Sequence, residues 1–171
     1  MLPANIILIL AWTLSGVCRD LLSAPQFMQH VVTSSGMGAM FLPVIVFAIA
    51  AFLAFSMGTA WGTFGILIPI VVPIVEVLDP SLTVVVLSAT LAGSVFGDHC
   101  SPISDTTIMA SAGAQCDHVS HVSTQLPYAI TAAAVSFVTY IIAGFVQSAW
   151  IALPIGIVLM VGTLLVLSMK K

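Results

Sequence analysis

From Val119 to Met169 the chain carries no Asp, Glu, Lys or Arg. About 20 apolar residues are enough to cross a bilayer as a helix, so an uncharged run of this length must be folded into at least two membrane crossings. The restriction extends to the rest of the chain. Only 5% of its residues are charged, against roughly 25% in soluble domains, while 60% are hydrophobic and the mean hydropathy is +1.23. The chain therefore reads as an all-α integral membrane protein, a multi-span helical bundle in which residues 1–171 form a single membrane domain. Three basic against six acidic residues leave no basic patch that could hold nucleic acid. Cys18, Cys100 and Cys116 form neither a CxxC pair nor an even set, which suits buried free thiols rather than disulfides or zinc. Met1-Leu2-Pro3-Ala4-Asn5 lacks the basic region and cleavage site of a secretory signal and leads straight into apolar sequence.

About residues 4–22 read as one span whose polar end is Arg19-Asp20. A helical hairpin is expected next, with arms at 40–56 and 65–78, because Gly58, Gly62 and Gly65 interrupt the apolar run and Pro69 and Pro73 weaken its second arm. The arms hold about 17 and 12 uninterrupted apolar residues, and the shorter would reach only about 18 Å, which favours a re-entrant hairpin over two full crossings. Glu76 and Asp79 close it as solvated ends. A broken transmembrane helix follows at 82–97 and 103–113, interrupted by Gly97-Asp98-His99-Cys100-Ser101-Pro102. Residues 114–124 read as a polar loop, and 125–147 and 150–168 as two uninterrupted spans with Pro127 near a helix start. The closing Lys170-Lys171 pair votes for a cytoplasmic C-terminus, which puts Gln115–His121 inside and opens the hairpin from outside.

The chemistry concentrates at the two breaks. Ionisable groups in a lipid-spanning region are expensive and mark ion or proton paths, and paired helix interruptions are the sequence signature of a transporter site. A small hard cation takes oxygen ligands. Ser56, Thr59 and Thr63 at the first break and Asp98, Ser101, Ser104, Asp105, Thr106 and Thr107 at the second offer that set, with backbone carbonyls freed where the helices unwind. Burial disfavours a charged carboxylate and a bound cation favours it, so a proton and a metal ion compete for one group, and that competition is antiport. Asp98, at the break itself, is the first candidate carrier and Asp105 the second; a sodium site is expected at Asp98, Asp105 and Thr59. Asp105 has the alternative of a helix N-terminal charge, and the hydroxyls at the first break that of helix-to-helix hydrogen bonding. His99 is a candidate to tune or relay the proton or a plain packing residue. Trp61 walls the cavity or packs. Cys116, Asp117, His118 and His121 superficially suggest a metal site, but a wet loop is the better reading.

Phe55-Ser56-Met57-Gly58-Thr59-Ala60-Trp61-Gly62-Thr63-Phe64-Gly65 and Gly97-Asp98-His99-Cys100-Ser101-Pro102-Ile103-Ser104-Asp105-Thr106-Thr107 together resemble the NhaC-type sodium/proton antiporters. Ala11-Trp12-Thr13 and Gln125-Leu126-Pro127-Tyr128 are similar to that family as well. The resemblance implies a multi-pass carrier in the bacterial inner membrane that exchanges sodium for protons; some relatives couple the two to organic acids such as malate and lactate. Members are more than twice as long and built from two related halves, so the chain resembles the C-terminal half of an inverted-repeat ion transporter. One half supplies part of the cavity wall. A separate N-terminal polypeptide, a second copy of the chain, or an inactive truncated subunit are the corresponding expectations. No cofactor is expected beyond the transported Na⁺ and H⁺, and no partner beyond the bilayer and the complementary half. An intramembrane aspartyl protease, the enzyme that would also use two carboxylates, is disfavoured: Val95 stands where its Gly-x-Gly-Asp pattern needs glycine, and Asp98 and Asp105 share one segment.

Overall fold

The computed structural model describes Thr13, Val17, Leu21, Ser23 and residues 38–169. The expected span at about 4–22 lies outside the described residues apart from Thr13, Val17 and Leu21, as do Arg19 and Lys170-Lys171, on which the orientation rested. Six helices follow: α1 (Leu42–Met57), α2 (Ala60–Leu78), α3 (Thr83–Cys100), α4 (Asp105–Gly113), α5 (His118–Val146) and α6 (Ala149–Met169). Short 3₁₀ turns at Ala39–Phe41 and Pro80–Leu82 lead into α1 and α3, and no strand occurs among the described residues. Among the described residues five segments are long and apolar enough to cross a membrane: Ala39–Met57, Ala60–Leu78, Pro80–Cys100, His118–Val146 and Ala149–Met169. The nine residues of α4 rise only about 14 Å and do not reach across.

The first break is far shorter than the glycine pattern suggests. Gly58 ends α1 in the left-handed conformation (φ 68°), its N–H bonded to the Ala54 carbonyl, and a Cβ there would also meet the backbone of Ile103. Thr59 is extended, and its side chain accepts the Gly62 N–H, so α2 is capped and running from Ala60. Gly62, Gly65, Pro69 and Pro73 all lie inside α2 without ending it, as membrane helices permit when neighbours supply the support. The arms are thus 16 and 19 residues, the second about 28 Å long, and arm length no longer separates a re-entrant hairpin from two crossings.

α1 and α3 run parallel with their backbones almost in contact. A Cβ on Gly93 would strike the Phe47 carbonyl, and one on Gly97 the Ala51 carbonyl and Phe55 nitrogen. Facing this small-xxx-small stripe, α1 presents Ala50 and Ala54, both fully buried. α2 returns alongside both, its Leu67, Val71 and Val75 packing with Leu42, Val46 and Ala50 of α1 and with Leu82 and Val86 at the start of α3. α5 then runs back along α3: Gln125 meets the His99 carbonyl, Tyr140 meets Ser88 at 2.8 Å, and Gln147 donates to Asp79 at 2.8 Å. α6 packs mainly on α5 and leaves most of its apolar surface outward, as a lipid-facing helix does. Both breaks therefore sit at one end of the bundle, with Asp79 and Gln147 at the other.

α5 also begins earlier than hydropathy suggests. Asp117 accepts the Ser120 N–H and caps a helix that starts at His118, so most of the expected 114–124 loop is helical and Pro127 lies inside α5 rather than at its start. At 29 residues α5 is about 44 Å long, more than a 30 Å hydrocarbon core requires.

Candidate functional site

α3 unwinds after Cys100, and the chain turns through Ser101–Ser104 before α4 begins. The Ser101 N–H bonds back to the Asp98 carbonyl and the Ser104 N–H to the Ser101 carbonyl. Ser104 is the N-cap of α4: its hydroxyl accepts the Thr107 N–H at 3.3 Å. The Asp105 N–H donates to the Gly58 carbonyl at 3.3 Å, so the two breaks touch.

Asp98 lies on the buried face of α3, 2% exposed. Ser104 donates to its Oδ1 at 2.8 Å and Thr106 donates to its Oδ2 at 2.6 Å, while the two hydroxyl oxygens stand 2.8 Å apart. Three oxygen–oxygen contacts thus close a ring through one carboxyl group and two hydroxyls. A hydroxyl carries one hydrogen and a carboxylate none. An ionised Asp98 leaves two hydrogens for three contacts; a protonated one supplies the third. In the adjoining turn, Ser101 is fully buried and its Oγ has no hydrogen-bond partner among the described residues, a state that buried polar atoms seldom adopt without reason.

The structure brings the side chains of Asp98, Ser104 and Thr106 together, with Thr107 contributing its N–H to Ser104 and Ser101 joined to Asp98 and Ser104 through the backbone. Thr106 is solvent-exposed as a residue and is the outermost member of the ring. Asp105 points outward, its Oδ1 accepting the Thr106 N–H in the first turn of α4. Thr59 is occupied as a cap, Thr63 is buried with its hydroxyl donated to the Thr59 carbonyl at 2.8 Å, and the exposed Ser56 donates to Phe52. His99 is turned away from Asp98. Its Nδ1 contacts the Val95 carbonyl at 2.8 Å, an atom that only accepts, and its ring borders an apolar groove of about 880 Å³ between α3 and α5. Trp61 is exposed and stacks edge-on against Phe64.

Few of the carbonyls freed by unwinding remain free. Those of Gly58, Thr59, Asp98, His99, Ser101 and Pro102 all accept hydrogen bonds, so the side-chain oxygens are the ligands with most capacity left. Sequence reasoning missed Thr90 and Ser94, fully buried on the face that Asp98 occupies, each hydroxyl donating to the carbonyl four residues back. Their i, i+4 spacing with Asp98 was the available signal. It read His118 as part of a wet loop, whereas His118 opens α5 with its Nε2 2.7 Å from the Pro102 carbonyl and Nδ1 3.0 Å from Ser111 Oγ. Among the described residues no group of three or more His, Cys, Asp and Glu could hold a metal ion, and Cys100 and Cys116 are free thiols. Outside the spans, the N–H and hydroxyl of Ser120 hold the Asp117 carboxyl below its ordinary value, and Ser81 followed by Gln147 does the same for Asp79.

The pattern of the Na⁺/H⁺ antiporter family matches residues 1–145. A protein of Haemophilus influenzae described as uncharacterized is 47% identical over 148 residues, covering 86% of this chain and 28% of its own. The malate-2H⁺/Na⁺-lactate antiporter of Bacillus subtilis is 34% identical over 97 residues, 57% of this chain and 20% of its own. A second Haemophilus influenzae protein, an uncharacterized Na⁺/H⁺ antiporter, is 29% identical over 143 residues, 84% of this chain and 30% of its own. The chain thus spans less than a third of the length of each of these relatives. No solved structure matches it. With its apolar helices and its buried carboxyl beside a helix break, the chain belongs to the Na⁺/H⁺ antiporter family and has the build of a multi-pass membrane protein.

Proposed function

We propose that the chain carries out sodium/proton antiport across the bacterial inner membrane, with Asp98 binding either ion in turn. The closed ring on Asp98 is the observation that carries this reading, because it accommodates a protonated carboxyl with every hydrogen placed. When the proton leaves, the two carboxylate oxygens, the lone pairs of Ser104 and Thr106 and the unpartnered Ser101 Oγ become a set of hard oxygen ligands. Sodium takes the place of the proton and cannot share it. Thr106, exposed at the rim, is the member that must swing to admit the ion.

The complementary wall comes from elsewhere. Asp105, Ser56 and Trp61 are exposed around the touching breaks, where the rest of a longer transporter, or a second copy, would close the cavity in an inverted-repeat arrangement with α1 and α2 as its hairpin. Asp105 and Thr59 then complete the sodium path from that side. A second reading, coupled exchange of organic acids, is favoured by the similarity to the malate/lactate antiporter. The test is sodium-driven proton flux in everted vesicles, with the chain alone and co-expressed with the remaining portion of the 47% identical Haemophilus relative. Loss of flux in Asp98→Asn is expected. Equal flux in wild type and Asp98→Asn would remove Asp98 as carrier, and flux that requires a malate or lactate gradient would replace simple antiport with the second reading.

A further inference from the structure

We propose that His118 and Gln125 are positioning residues that hold the broken stretch of α3 in the shape that lets Ser104 and Thr106 reach Asp98, and so set the affinity for sodium. This rests on the antiport reading. The two residues lie seven positions apart on α5, two helical turns, and therefore share a face. From that face Gln125 Nε2 donates to the His99 carbonyl at 3.3 Å and His118 Nε2 meets the Pro102 carbonyl at 2.7 Å. A carbonyl only accepts, so His118 carries its hydrogen on Nε2, while Ser111 Oγ on α4, 3.0 Å from Nδ1 and 2.9 Å from the Ile108 carbonyl, has one hydrogen to share between those two acceptors.

The need for this bracket follows from the sequence of the break. Where α3 ends, the Asp98 carbonyl is satisfied by the N–H three residues on, that of Ser101. The His99 carbonyl cannot repeat the pattern because the residue three on is Pro102, which has no N–H. Pro102 in turn exposes a carbonyl in a turn that no helix continues. Side chains of α5 supply both missing donors, one on each side of Ser101, and His118 ties the turn to α4 through Ser111 at the same time. Without these donors nothing from α5 fixes the turn that carries Ser104 and Thr106 to Asp98.

The experiment measures sodium-driven proton flux against sodium concentration for His118→Ala, His118→Gln, Gln125→Glu and Gln125→Leu, with wild type and Asp98→Asn alongside. His118→Ala, Gln125→Glu and Gln125→Leu are expected to raise the KM for sodium about tenfold, the order expected for one lost hydrogen bond, with maximal flux kept within about twofold. His118→Gln, which retains an amide donor, is expected to restore the wild-type KM. An unchanged KM in all variants, or a fall in maximal flux that His118→Gln does not rescue, would overturn the proposal. A second readout needs no transport: the buried Cys100 lies at the end of α3, and in a Cys18→Ser/Cys116→Ser background its maleimide labelling should quicken in His118→Ala and return to the wild-type rate in His118→Gln. An absence of flux in wild type would defeat the antiport reading, whereas unchanged Cys100 labelling would defeat the bracket.

Discussion

Replacing Asp98 in two ways separates its role in transport from its role in the fold. Asparagine keeps the shape of the carboxyl and offers an N–H where a protonated aspartate offers its O–H, so the ring with Ser104 and Thr106 can close with each contact holding a hydrogen. Alanine removes both acceptors. The two hydroxyls stand 2.8 Å apart, so Ser104 can donate to Thr106 and the exposed Thr106 can turn to water, but both bonds to the buried carboxyl are lost. Those lost bonds and the void left by the carboxyl together cost about 1–3 kcal/mol. At about 2–4 °C per kcal/mol for a chain of this size, a middle value of about 2 kcal/mol lowers the melting temperature by about 4–8 °C. Thermal unfolding in detergent should therefore rank Asp98→Asn with wild type and Asp98→Ala well below both, while flux is lost in each variant. Sodium should raise the melting temperature of wild type alone, by about 2.7 kcal/mol of stabilisation at a hundredfold excess over its dissociation constant. If Asp98→Asn melts as early as Asp98→Ala, or if sodium stabilises it, the hydrogen count that underlies the exchange scheme is wrong.

Ser101→Ala should leave the melting temperature unchanged or higher, because the deleted Oγ has no partner among the described residues, yet it should raise the KM for sodium; an unchanged KM would take Ser101 out of the ligand set. Gly97→Ala should destabilise by about 1–3 kcal/mol, since its Cβ would strike the Ala51 carbonyl where α1 and α3 touch. Gly113→Ala, with open space around it at the end of α4, should be neutral or stabilising by up to about 1 kcal/mol, and equal unfolding curves for the two variants would contradict the packing described. Asp79 is held below its ordinary value by Ser81 and Gln147, so its small surface contribution is present above about pH 4 and lost as pH falls through its lower folded value. The stability gap between wild type and Asp79→Asn should accordingly close on acidification from about pH 5, and a gap that widened would reverse that sign.

The break between α3 and α4 could be read from the chain because several local signals agree there: Pro102 forbids a helical N–H, Ser104 is a capping residue, and Asp105 favours the first turn that follows. The first break was misjudged in extent. Glycine lowers helix propensity in water, but Gly62 and Gly65 follow a Thr59 cap and sit in a helix supported by α1 and α3, where tertiary packing overrides propensity. The start of α5 was missed for a related reason: hydropathy marks where lipid begins, whereas the Asp117 cap marks where the helix begins, and these are seven residues apart. The ring itself was out of reach. Nothing in the spacing of Asp98, Ser104 and Thr106 says that a turn of four residues returns both hydroxyls to one carboxyl, while His99 and Asp105, equally close in sequence, face other ways.

The ring also bears on how tightly the fluxes of the two ions are tied. Strip Asp98 of its proton and two hydrogens must serve three contacts, so two hydroxyl oxygens crowd beside a bare carboxylate that is itself 2% exposed, a state that is costly until a cation arrives. A vacant site is then the least comfortable of the three conditions. Under the proposed antiport, reorientation with nothing bound, the step that would let sodium or protons slip across uncoupled, would be suppressed by the same oxygens proposed to bind them.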